Sequence, residues 1–124
     1  MKKIITALAS LVFVSSVFAS AAENDYNRVS SNPETETEEC VLANSTDRYR
    51  VTFYAGEEAM VLVSGDGDTD LDLYIYDEYD NLVAYDNDGL DTMLCTWIPK
   101  RTATFTIVIR NLGDVRNYYT MWTY

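Results

Sequence analysis

The sequence predicts an all-β fold, a single antiparallel β-sandwich of about seven to eight strands. Three observations carry this reading. Beyond position 47, short runs rich in β-branched and aromatic residues recur about every ten residues, with Gly, Asn or Asp between them. The run Asp70 to Tyr76 alternates strictly, and Phe105, Ile107 and Ile109 alternate with Thr104, Thr106 and Arg110, Val108 being the exception. No segment after the N-terminal apolar run keeps a helical period.

Taken in order, the predicted strands are Tyr49 to Tyr54, Ala59 to Val63, Asp70 to Tyr76, Leu82 to Tyr85, Thr92 to Trp97, Thr104 to Arg110 and Tyr118 to Thr123. Turns are expected at Ala55-Gly56-Glu57, Gly65-Asp66-Gly67, Asp80-Asn81, Asp88-Gly89 and Leu112-Gly113-Asp114, whose residues tolerate the backbone angles that turns require. Pro99 falls just after a strand, where a missing N–H does least harm. Trp97 is expected in the core.

Ahead of the strands, Met1-Lys2-Lys3, the apolar run Ile4 to Phe18 and the small residues Ala19-Ser20-Ala21 read as a secretory signal peptide over residues 1–21. The run is short for a membrane span, so no membrane association is expected after cleavage, and the protein is expected to be secreted or periplasmic. Residues 22–46 read as an acidic flexible leader, with too little apolar surface to offset the entropy of ordering it. The domain proper is expected over residues 47–124.

Without Lys2 and Lys3, seven Lys and Arg face twenty Asp and Glu, a net charge of −13. Such a surface does not suit nucleic acid or anionic membrane, which need basic residues to neutralise phosphate. Cys40 and Cys95 are the only cysteines. In an oxidising compartment they are expected to pair, a bond that would add about 4 kcal/mol in the chain-entropy account.

The order of short segments resembles the bacterial pre-peptidase C-terminal domain family. The resemblance lies in Phe53-Tyr54-Ala55-Gly56-Glu57, Asp68-Thr69-Asp70-Leu71-Asp72-Leu73-Tyr74, Leu82-Val83-Ala84-Tyr85-Asp86, Trp97-Ile98-Pro99, Phe105-Thr106-Ile107-Val108-Ile109-Arg110-Asn111 and Asn117-Tyr118-Tyr119. Ala103 departs from the pattern, standing where the family has a Gly before the penultimate strand. The resemblance implies a jelly-roll-like sandwich without catalysis of its own, commonly appended to secreted peptidases, with related collagenase domains binding calcium and fibrous protein.

Two clusters are candidates for chemistry. Asp70 and Asp72 share one strand face about 7 Å apart, and Asp86, Asp88 and Asp91 follow in the loop after the next strand. Converging carboxylates repel one another unless a cation intervenes, and calcium accepts such oxygens with flexible geometry. The competing reading is a set of solvated turn aspartates. The stretch Asp66 to Asp77 also mimics an EF-hand loop, but Leu71 stands where that loop needs Gly and no helices flank it. Tyr74 and Tyr76 point outward by alternation, and Trp122 and Tyr124 join them if the last strand lies nearby, making an aromatic surface for polypeptide or glycan.

Catalysis is not expected. The chain has no His, so a Ser-His or Cys-His nucleophile pair cannot be assembled, and it has no phosphate-binding Gly loop. The sequence therefore points to a binding module for an exported protein or extracellular polymer. The alternative is an accessory subunit or inhibitor of a secreted peptidase, engaged through the acidic leader.

Overall fold

A computed structural model of the chain describes residues 35–124. The expected signal peptide and positions 22–34 of the leader lie outside the described residues. Eight strands run in chain order: β1 (Thr35–Val41), β2 (Thr46–Phe53), β3 (Ala59–Ser64), β4 (Leu71–Tyr76), β5 (Leu82–Asp86), β6 (Thr92–Trp97), β7 (Ala103–Asn111) and β8 (Asn117–Thr123). They form two antiparallel four-stranded sheets, ordered β1-β8-β3-β6 and β2-β7-β4-β5. This order is that of a jelly roll, in which all chain neighbours except β4 and β5 pass between the two sheets.

Period-2 patterning decides which residues meet between the sheets. Leu71, Leu73 and Ile75 of β4, Ile107 and Ile109 of β7, and Val61 and Val63 of β3 are fully buried. Each such side chain contributes about 1.5–3 kcal/mol through removal from water. At one end Phe53 packs edge-on to Trp97 with centroids 4.9 Å apart, and Trp97 lies 5.4 Å from Phe105. Trp97 is thus packed against the core as expected, although only partly buried.

Seven of the eight strands fall where the sequence placed them, within a few residues. The eighth, β1, corrects the leader: Thr35–Val41 already belong to the sandwich, ahead of residue 47. β1 pairs with β8 from Thr35 opposite Thr123 to Val41 opposite Asn117. Val41 is fully buried, Thr35 and Thr37 are half-buried, and Glu36 and Glu38 are exposed on the other face. Trp122 Nε1 donates to Glu36 Oε2 at 2.5 Å, and the Thr35 and Thr123 hydroxyls meet at 2.5 Å.

The expected Cys40–Cys95 disulfide is a second correction. Both thiols are free. Cys40 lies on β1 and Cys95 on β6, the opposite edges of one sheet, with β8 and β3 between them. Three strand spacings alone put them at least about 14 Å apart, and Cys40 lies level with Tyr118 whereas Cys95 lies level with Thr123 five residues on; a disulfide spans at most about 7 Å between Cα atoms. Cys95 is buried in the core, and burial, followed by the nearby Asp86 carboxylate, pushes its thiol up to about 12.

Candidate functional site

The outer face of sheet β2-β7-β4-β5 is the product of strand register. One row across it reads Arg48, Val108, Tyr74, Tyr85, and the next reads Arg50, Thr106, Tyr76, Leu82. Arg110 stands opposite Asp72. The Tyr74 and Tyr85 rings stack, with centroids 6.4 Å apart and planes 20° off parallel. Tyr74 donates its hydroxyl to Asp72 Oδ2 at 3.1 Å, and burial raises its pKa above the usual phenol value. Tyr85 and Arg110 are exposed, while Tyr74 and Tyr76 are half-buried.

This face is unlike the rest of the chain in charge. Overall the sequence carries a net charge of −11, yet the outward strand residues here include Arg48, Arg50 and Arg110 against a single acid, the buried Asp72. Tyr85 and the three arginines were not singled out in the sequence. The signal was present: Arg48 and Arg50 alternate with the inward Tyr49 and Val51, and Arg110 alternates with the core residues of β7.

Trp122 and Tyr124 do not join Tyr74 and Tyr76. Trp122 lies near the end of β8 and Tyr124 just beyond it, and β8 is in the other sheet. Trp122 instead floors a shallow groove there, lined with Glu38, Cys40, Ser64, Asp66 and Tyr118. Tyr124 exchanges backbone hydrogen bonds with Met60, at 3.0 and 3.4 Å. The two aromatic pairs therefore occupy opposite faces of the sandwich, because strand adjacency in sequence does not determine sheet membership.

The five aspartates divide. Asp86 turns inward opposite Leu73 and accepts the Leu94 N–H at 3.0 Å, clasping β5 to β6. Asp88 accepts from Leu90 N–H within its own turn, and Asp91 accepts from Gly67 N–H. A Cβ on Gly65 would meet Asp91 Oδ2 at 2.5 Å and Asn117 Oδ1 at 2.7 Å, so only Gly allows this close approach of the two loops. Asp70 and Asp72 stay together, with Asp88 and Asp91 within electrostatic reach. Asp70 has its pKa raised first by desolvation and then by Asp72, Asp88 and Asp91. Its Oδ1 is buried without a hydrogen-bond partner.

As a calcium site these residues fit only in part. The orphaned Asp70 Oδ1 is an oxygen that a cation would satisfy. Among the described residues, however, no three carboxylates or thiols converge closely enough to hold a metal ion.

A third polar cluster was not anticipated. Tyr119, facing the core from β8, donates to Asp47 Oδ2 at 2.7 Å and shares a short hydrogen bond with the Tyr49 hydroxyl. Burial pushes Tyr49 up to about 12 and raises Tyr119 well beyond the usual phenol range. Phenols held neutral in this way tie β2 to β8 and act as structural struts.

No known family profile and no curated protein matches the sequence. No helix of the described residues is long and apolar enough to cross a membrane. Among solved structures, the chain is similar to the pre-peptidase C-terminal domain of a collagenase from Bacillus anthracis, with a TM-score of 0.63 at 12% identity over 73% of this chain and 88% of that one. A likeness at that identity is a likeness of backbone. The eight-stranded sandwich is thus the fold of a pre-peptidase C-terminal domain.

Proposed function

We propose that the protein is a secreted, non-catalytic binding module, and that it recognises an exported protein or extracellular polymer through the outer face around Tyr74, Tyr76 and Tyr85. One observation carries this reading: a stacked tyrosine pair beside Arg110, on a basic face of an otherwise acidic chain. Rings of this kind bind polypeptide and sugar by stacking, and Arg110 selects for carboxylate or sulfate groups on the polymer. The fold likeness to a domain of a collagenase supports a role beside extracellular protein substrates.

The test is pull-down with a panel of fibrous proteins and acidic polysaccharides. Tyr74→Ala with Tyr76→Ala is expected to abolish binding by the folded protein, and unchanged binding would sink the proposal. Calcium enters the reading as a stabiliser of the Asp70 loop rather than as a ligand bridge. A cation there would have to draw Asp72, Asp88 and Asp91 inward, and thermal unfolding with calcium against chelator measures whether it does. Of the acidic leader on which the alternative peptidase-subunit reading depends, Glu36, Glu38 and Glu39 sit in β1. A truncation that tests that reading must therefore stop before Thr35.

A further inference from the structure

The two long sides of the sandwich differ. On one, the Asp86 carboxylate bonds the Leu94 N–H and closes β5 against β6. On the other, β1 and β2 are the edges of their sheets, and among the described residues neither has a strand beyond it. A free edge presents a row of backbone donors and acceptors that invites another strand.

These two edges are complementary. On β1 the outward residues Glu36 and Glu38 are exposed, and on β2 the outward residues Arg48 and Arg50 are exposed. Each pair is spaced by two residues, so the charges repeat at the same interval along both strands. Their levels also coincide. Asn111 accounts for one level: its backbone N–H donates to Ser45 O at 2.9 Å and its side chain to Val41 O at 3.3 Å. Tyr119 gives a second, lying opposite Glu39 in the β1–β8 ladder while donating to Asp47. Counting outward along the antiparallel strands from these levels sets Glu38 beside Arg48 and Glu36 beside Arg50. Within one molecule these charges cannot pair, because they point from opposite outer faces of a sandwich whose layers lie about 10 Å apart.

We propose that two copies of this chain join along this side, about a two-fold axis parallel to the strands. Such a rotation keeps every residue at its level and exchanges the two layers. It therefore lays β1 of one copy antiparallel to β2 of the other in the same layer, with Glu38 facing Arg48 of the partner subunit and Glu36 facing Arg50 of the partner subunit. The operation acts twice, so each four-stranded sheet continues into its neighbour and both free edges vanish in a closed dimer. Glu39, on the inner side of β1, opposes the join, since the axis brings its two copies together. The Tyr74, Tyr85 and Arg110 patch stays open on both outer surfaces while Arg48 and Arg50 are taken up in the join, so the proposal does not depend on the ligand-binding reading.

Sedimentation equilibrium of the purified chain tests this. The expected result is a concentration-dependent species of twice the chain mass, weakened by salt. Arg48→Glu with Arg50→Glu, and separately Glu36→Arg with Glu38→Arg, are each expected to weaken the dimer by about tenfold or more, since each reverses four exposed pairs. Mixing the two variants restores both sets of contacts and is expected to give a heterodimer, which also shows that both variants are folded. Glu39→Gln is expected to tighten the dimer. A chain that stays monomeric up to about 1 mM, or a dimer indifferent to both charge reversals, overturns the proposal.

Discussion

Two polar clusters sit side by side at one end of the sandwich, and they are satisfied to very different degrees. Asn111 and Asn117 are fully buried. The Asn111 amide donates to Val41 O, Leu42 O and Val115 O and accepts from Gly113 N–H at 2.9 Å. Asn117 accepts the Asp66 N–H at 3.1 Å and donates to Thr69, while the Asp66 carboxylate receives the Tyr118 N–H at 2.8 Å. One strand away, Asp70 keeps an unpartnered buried oxygen among three other carboxylates. Buried polar groups that are fully bonded hold loops in place, whereas an under-bonded carboxylate costs stability unless something else meets it. The difference separates architecture from candidate function within a few residues of chain.

The largest test of this contrast is Asn111→Ala. It leaves buried carbonyl groups without a donor, and the expected loss is about 3 kcal/mol or more in urea unfolding. A loss below about 1 kcal/mol would mean that the loops hold themselves.

Asp70 should behave in the opposite way. Its pKa in the folded protein lies above 3.8, so as pH rises the unfolded chain releases this proton before the folded protein does. Stability from this group is therefore fully present below 3.8 and is lost as pH climbs to the folded value. Asp47, also raised by burial, adds in the same direction. Asp70→Asn is expected to flatten the pH dependence of the melting temperature above that window, to stabilise the protein modestly at neutral pH, and to remove any calcium-induced shift. A pH profile unchanged by Asp70→Asn would remove Asp70 from the account.

The smallest expected effect is zero. With both thiols free, reductant leaves the melting temperature unchanged. A thiol reagent titrates Cys40 in the native state and Cys95 only on unfolding. A drop in melting temperature under reductant would restore the disulfide.

Local pattern made most of the strands legible. β4 and β7 declare their faces in Leu71, Leu73 and Ile75 and in Phe105, Ile107 and Ile109, because burial of one face enforces a period of two. β1 was hidden because Thr35-Glu36-Thr37-Glu38-Glu39 carries the composition of a solvated leader. What orders it is pairing with β8, about eighty residues later, and the burial of one residue, Val41. The errors about Cys40 with Cys95, and about Trp122 with Tyr74, share a cause: strand order within and between sheets is a long-range outcome that no local window records. The inward turn of Asp86 could have been read from the alternation that turns Tyr85 outward. The nearness of Asp70 to Asp88 and Asp91 follows from the antiparallel β4–β5 hairpin, which returns the loop after β5 to the start of β4.

The pairing of β1 with β8 has a mechanical meaning. Thr35 and Thr123 lie opposite each other in the ladder, so the described chain enters and leaves the sandwich at the same spot. Tension applied between these points would open the rungs one after another, as a zip opens, instead of loading them together in shear. The domain is therefore expected to yield at low force when pulled by its ends.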